Sequence, residues 1–143
     1  MASEKPMASE SKINDALRAV WDSISYVVKT GRHSGQGGSF AYATESDVKR
    51  EFHRLFLRHG LLFSLNEKSV EIRPHINKEE KHAGYLAILT AEITLLHVES
   101  GESVSYQASG VGYDSTDKAI GKAYSYLVKT WLLNNFLIET TRS

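Results

Sequence analysis

Residues 85–98 read Tyr-Leu-Ala-Ile-Leu-Thr-Ala-Glu-Ile-Thr-Leu-Leu-His-Val, and this stretch decides the fold. Ala87, Leu89, Ala91, Ile93 and Leu95 fall at every second position, the period that puts side chains on one face of a strand. A helix turning 100° per residue would scatter the same five around its circumference. The stretch therefore predicts a long strand with one buried face. Glu99-Ser100-Gly101-Glu102 follows as a hairpin turn and leads into Val104, Tyr106 and Ala108. Gly110 and Gly112 predict the end of that strand.

Working back toward the N-terminus, Leu61, Phe63 and Leu65 alternate in the same way, as do Val70 and Ile72. Asn66-Glu67-Lys68 between them predicts a turn, and the charged stretch Asn77 to His82 a solvated loop. Before the strands the period changes. Ile13, Leu17, Val20, Ile24, Val27 and Val28 predict an amphipathic helix from Ser11 to about Thr30. Four glycines between Gly31 and Gly38 predict a loop. Thr44 reads as the N-cap of a second helix, with Glu45 and Asp47 in its first turn, Val48, Phe52, Leu55 and Phe56 on its apolar side, and Gly60 at its end. A last helix is expected from near Thr116, capped by Asp114 or Asp117. The order predicts an α+β fold: an antiparallel sheet of three or more strands with a packed C-terminal helix, preceded by two helices. Residues 11–143 are expected to form one domain. Residues 1–10, where Met-Ala-Ser-Glu occurs twice, are expected to form a disordered leader.

Composition narrows the chemistry. The 143 residues contain no cysteine, which excludes disulfides, thiol nucleophiles and cysteine-based zinc sites. No apolar run approaches the roughly 18 residues of a membrane span. The glycine-rich stretch lacks the Gly-Lys-Ser/Thr ending of a P-loop, and no dinucleotide fingerprint is present, so no nucleotide cofactor is expected. The six histidines show no His-Glu-x-x-His or other local ligand spacing, so no metal is expected. No compact catalytic constellation emerges, and an enzyme is not expected.

Seventeen basic residues balance seventeen acidic ones, so any nucleic-acid partner would have to be held by a local stripe of charge. Such a stripe lies on the last helix. Lys118, Lys122, Ser125 and Lys129 fall within roughly 60° on a helical wheel, opposite Ile120, Ala123, Leu127 and Trp131. The rail is ~16 Å long, enough for a few backbone phosphates. Spacing alone favours an ordinary solvated helix face over a nucleic-acid site. Lys29 lies just before the glycine-rich segment, Arg32 and His33 within it could reach a phosphate, and Tyr42 follows it as a candidate for stacking on a base. Lys49, Arg50 and Arg54 on the second helix form a further basic surface, diluted by Glu45, Asp47 and Glu51.

The segment from Asp114 to Lys129, with Asp117-Lys118-Ala119, Lys122-Ala123, Ser125 and Lys129, continuing to Phe136-Leu137-Ile138, resembles the ERF (essential recombination function) family of phage single-strand annealing proteins. Lys29, Gly31, Phe40, Tyr42, Asp47 and His59-Gly60-Leu61 are similar to the family's N-terminal half. Leu96 to Glu102 is similar to its central hairpin. These motifs span about Ser11 to Ile138. The resemblance implies the βββα annealing fold of eukaryotic recombination mediators and ATP-independent annealing in phage homologous recombination. It also implies a homo-oligomeric ring or helical filament that holds single-stranded DNA by its backbone. By this match Lys129 stands at a DNA-contacting position, and Lys118 and Lys122 are the preceding lysines of the same helix. Implied partners besides single-stranded DNA are a single-strand binding protein or an exonuclease of host or phage, in the cytoplasm of an infected bacterium, with no membrane contact. Thr130 departs from the aromatic or basic residue of relatives, and the protein is expected to lack the variable C-terminal extension of longer members. Two alternatives stay open: a single-strand DNA-protecting protein without annealing activity, and a protein-interaction module.

Overall fold

The computed structural model describes residues 11–25, 27–35, 38–76, 79 and 82–139. Three helices, α1 (Lys12–Ser23), α2 (Glu45–Arg58) and α3 (Ala119–Asn135), accompany five strands: β1 (Gly31–Gly35), β2 (Gly38–Tyr42), β3 (Leu61–Ile76), β4 (His82–His97) and β5 (Ser103–Asp114). β3, β4 and β5 form an antiparallel sheet in that order, and β1 pairs with β2 as a separate hairpin. This is the expected α+β plan, with the C-terminal helix packed on the sheet.

The alternation that predicted β4 is realised in full: Ala87, Leu89, Ala91, Ile93 and Leu95 are all inaccessible to solvent. Leu61, Phe63 and Leu65 of β3 pair with His97, Leu95 and Ile93 and present the same face. Over this face lie Ala119, Ala123 and Leu127 of α3. At the other end Val20 of α1, Val48, Phe52 and Leu55 of α2, Leu95, Leu132 and Phe136 close a second cluster. Phe136 meets Phe52 at 5.1 Å between ring centroids. The turn after β4 is fastened to α1, because a Glu102 carboxylate oxygen accepts from the Ile13 N–H at 2.9 Å.

Several boundaries differ from expectation. α1 stops at Ser23, and Ile24 is already extended at φ −144°, ψ 134°. Val27 is still buried and Ile24 packs against the same cluster, so the apolar spacing marked these two core positions correctly, but Val28 is 63% exposed. Ile24 and Val27 reach the core from outside the helix, Ile24 in the extended conformation that β-branched side chains prefer. The glycine-rich segment is a hairpin flanking residues 36 and 37, which lie outside the described residues. Main-chain pairing needs no apolar pattern, so periodicity did not signal it. Asn66-Glu67-Lys68 is a bulge within one continuous strand: the register shifts between Glu67 and Ser69. Glu67 there accepts a hydrogen bond from the Tyr124 hydroxyl of α3. Most of the charged stretch 77–82 lies outside the described residues.

The last difference concerns β5, which runs through both glycines to Asp114. A Cβ at Gly112 would stand 2.3 Å from the Ala119 carbonyl oxygen and 2.3 Å from the Ala123 nitrogen. A Cβ at Gly110 would stand 2.7 Å from the Ala123 carbonyl oxygen. These glycines admit a helix rather than end a strand. α3 accordingly begins at Ala119, three residues later than expected, and Ile120 is 40% exposed instead of packed on the sheet. Gly112→Ala should therefore cost about 1–3 kcal/mol, the usual range for overpacking a filled contact. Denaturant titration checks this, with Gly121→Ala as the control, since nothing lies within 4 Å of a Cβ at Gly121.

Candidate nucleic-acid interface

The β1–β2 hairpin is held at its base by one carboxylate. Asp47, in the first turn of α2, is 1% exposed. Its Oδ2 accepts from the Thr30 N–H at 3.0 Å and the Thr44 N–H at 2.9 Å. Its Oδ1 accepts from the Thr30 hydroxyl at 2.6 Å and from Arg50 at 2.8 Å. Thr44 returns the bond by accepting from the Asp47 N–H, which completes a capping box. Burial alone would push Asp47 up, but the hydrogen bonds from Thr30 and Thr44 outweigh it and hold the carboxyl well below its ordinary value. Gly31 lies close beneath Tyr42 and Thr44: a Cβ there would sit 2.6 Å from the Thr44 methyl and 2.7 Å from the Tyr42 ring.

α3 meets this base through Lys129. Its ammonium donates to the Ala43 carbonyl at 3.1 Å and lies 5.9 Å from the centroid of the Tyr42 ring. Ser125, one turn earlier, hydrogen-bonds Glu45 of α2. Burial pushes Glu45 up, and the bonds from Lys49 and Ser125 with the charges of Lys49 and Lys129 bring it below its usual value. Lys122 forms an ion pair with Asp114 at 2.6 Å, an acid supplied by β5 and not by the helix. Asp114 also accepts from the Thr116 N–H at 2.8 Å, so it shapes the turn before α3 while Lys118 occupies the N-cap position. Hydrogen bonds from Lys122 and then Thr116 hold Asp114 well below the usual carboxylate range. Lys118 is exposed, and among the described residues it makes no ion pair. Thr130, the departure noted in the sequence, donates its hydroxyl to the Tyr126 carbonyl at 2.7 Å within the helix.

The sequence-selected residues thus fall into two groups. Lys129 meets Ala43 and Tyr42 at the hairpin base, and Lys29 and Arg32 stand on either side of Thr30 and Gly31 in the chain there, with Lys29 half-buried, Arg32 exposed and Tyr42 40% exposed. Lys118 and Lys122 extend this corner toward the start of α3. Lys49, Arg50 and Arg54 stand apart along α2, each paired with an acid: Glu45 at 2.6 Å, Asp47 at 2.8 Å and Glu51 at 3.0 Å. Trp131 is packed against Tyr106 and Phe63 at 5.4 and 6.1 Å, whereas Trp21 is 45% exposed. Sequence reading placed Asp47 in the helix's first turn without its role at the hairpin. The Thr-x-x-Asp capping signature at Thr44 announced half of that role, but nothing local announced Thr30. Among the described residues no helix is long and apolar enough to cross a membrane.

A three-stranded antiparallel sheet carrying a C-terminal helix whose lysines adjoin a basic hairpin describes a βββα protein with a cationic corner. The ERF superfamily profile matches residues 13–142, and the chain belongs to that superfamily, whose members are phage single-strand annealing and recombination proteins. No curated protein matches the chain.

Two stability measurements follow from this geometry. Lys129→Ala should lower stability by about 1 kcal/mol, the net value of a typical hydrogen bond, while Lys118→Ala leaves it unchanged. Equal denaturation midpoints for the two variants would contradict the Lys129–Ala43 tie. For Asp47 the folded state favours the ionised form, so its contribution is complete above the unfolded value of about 3.9 and is lost as pH falls below it. Asp47→Asn should destabilise by roughly 2–3 kcal/mol at pH 7, and the gap from wild type should shrink below about pH 4. Denaturant titrations across that range test the sign, and a gap independent of pH would exclude the carboxylate's ionisation as its source.

Proposed function

We propose that this protein binds single-stranded DNA along its sugar–phosphate backbone and anneals complementary strands without ATP, in phage homologous recombination. The observation that carries the reading is the seating of Lys129 on the hairpin base, where the chain positions of Lys29 and Arg32 lie, with Lys122 and Lys118 on the same helix, in a member of the ERF superfamily. Annealing needs no covalent chemistry. Two strands repel through their phosphates and fold into intrastrand pairs, and a cationic groove that neutralises the backbone while leaving bases free relieves both obstacles. Lysine suits this task as a point charge on a flexible stem. Lys129 keeps donors beyond the one given to Ala43, because an ammonium carries three.

A neutral protomer offers few phosphate contacts, so useful avidity calls for several copies, as a ring or helical filament. The outer edge of β5 supports such assembly. Among the described residues no strand pairs with that edge, and Ser103 to Tyr113 contain neither charge nor proline. β3, the opposite edge, carries Lys68, Pro74 and a bulge, the usual guards against added strands. The setting proposed is the cytoplasm of an infected bacterium, where a single-strand binding protein or an exonuclease would supply or process the strands.

The test is duplex formation from complementary oligonucleotides, without ATP, read alongside particle images. Wild-type protein should accelerate pairing, and binding should weaken with salt at a log–log slope of about −0.7 per phosphate contacted. The triple variant Lys118→Ala/Lys122→Ala/Lys129→Ala should bind at least tenfold more weakly at moderate salt, on the order of a few lost phosphate contacts. Unchanged binding in that variant would sink the site. Protection of single strands without faster pairing would instead point to a DNA-protecting protein, and absence of any salt-dependent binding to an interaction module.

A further inference from the structure

The capping box explains why Asp47 bonds Thr44; it does not explain the two bonds to Thr30. A helix N-cap requires one reciprocal pair, and Thr44 with Asp47 already provides it. Thr30 lies seventeen residues before Asp47, on the other side of the β1–β2 hairpin. One buried carboxylate therefore grips both legs of the hairpin where they leave the body of the protein.

β1 and β2 chiefly contact each other, and among the described residues no other helix or strand packs broadly against them. A two-stranded hairpin alone is marginal in water, so its direction is set at its base. Besides Asp47, the ties there include the Lys129 bond to Ala43 and the close packing of Gly31 under Tyr42 and Thr44. Lys29 precedes the gripped Thr30, and Arg32 follows Gly31. Any swing of the hairpin about its base would change where Arg32 stands relative to Lys129, which is tied to Ala43.

We propose that Asp47 is a positioning residue for single-strand binding, acting through the hairpin to hold Lys29 and Arg32 in line with Lys129 so that all three meet one DNA backbone. The inference rests on the DNA-binding reading given above and adds to it a residue that never touches the strand. Asp47 is buried, is acidic, and is spent on protein donors, so it contributes nothing directly to a phosphate.

The experiment is a double-mutant cycle on the full chain with a labelled oligothymidylate, at a temperature where every variant is folded by circular dichroism. Its arms are Asp47→Asn, the pair Lys29→Ala/Arg32→Ala, and the combination. Asp47→Asn should weaken binding and make the salt slope shallower by about 1.4, the value of two single-strand phosphate contacts. The combined variant should bind no more weakly than Lys29→Ala/Arg32→Ala alone, because a clamp has nothing left to position once those cations are gone. A purely structural carboxylate predicts instead additive losses of binding, or none while the protein stays folded; either result overturns the role. Hydrogen exchange supplies the second readout: residues 31–35 and 38–42 should lose protection in Asp47→Asn while β4 keeps it, and unchanged hairpin protection would also overturn the proposal. Failure of the wild-type chain to bind the oligonucleotide would remove the DNA reading and this role together. Additive effects in a wild-type chain that does bind remove only the role of Asp47.

Discussion

The contact between α3 and β5 is the constraint on which the rest of the molecule depends. Gly110 and Gly112 on the strand face Ala119, Ala123 and Leu127 on the helix, and the backbones approach until no side chain fits between them. At that distance dispersion is favourable along the whole seam, and the space is too small for water. Small residues alone would not hold the helix in register. Lys122 to Asp114 at one end and Tyr124 to Glu67 across the sheet act as polar pins on either side of the apolar seam. Once α3 is seated, Lys129 is brought to Ala43, and Leu132 and Phe136 reach the aromatic cluster that α1 and α2 share.

The hairpin illustrates a different economy. Its base concentrates hydrogen bonds: a buried carboxylate, two threonines and an ammonium fix where it leaves the body. A fully satisfied buried polar group specifies geometry because each lost partner leaves a desolvated atom behind. Such a device suits an element that must present charge at a defined place without being part of the packed interior. The lysine stripe of α3 also changes meaning in this setting. Lys118 faces solvent, Lys122 is shared with Asp114, and Lys129 is shared with Ala43 and Tyr42. Charges already held in place lose less conformational freedom when they meet a phosphate.

Much of the fold was legible because burial leaves a period in the sequence. The alternation in β4, the apolar spacing in α2 and the Thr44 cap all appear where they were expected, since each is set by residues a few positions apart. The readings that failed share a cause. Ile24 and Val27 occupy core positions without being helical, because burial selects which residues are apolar and not which backbone delivers them. Gly110 and Gly112 looked like a strand end, because the helix that requires their missing side chains comes after the strand and meets them only once the chain has turned back over the sheet.

By itself the sequence determined the α+β class, the buried face of the central strand, the lack of any thiol chemistry and the alignment of Lys118, Lys122 and Lys129 on one side of the last helix. Each is a property of composition or of short-range periodicity. Only the tertiary structure decided that the glycine-rich segment pairs with itself, that Asp47 reaches back to Thr30, and that Asp114 and Ala43 meet two of the lysines. These contacts join residues that no local period relates. They depend on where chain segments end in space, and the close seating of α3 on two glycines sets that position.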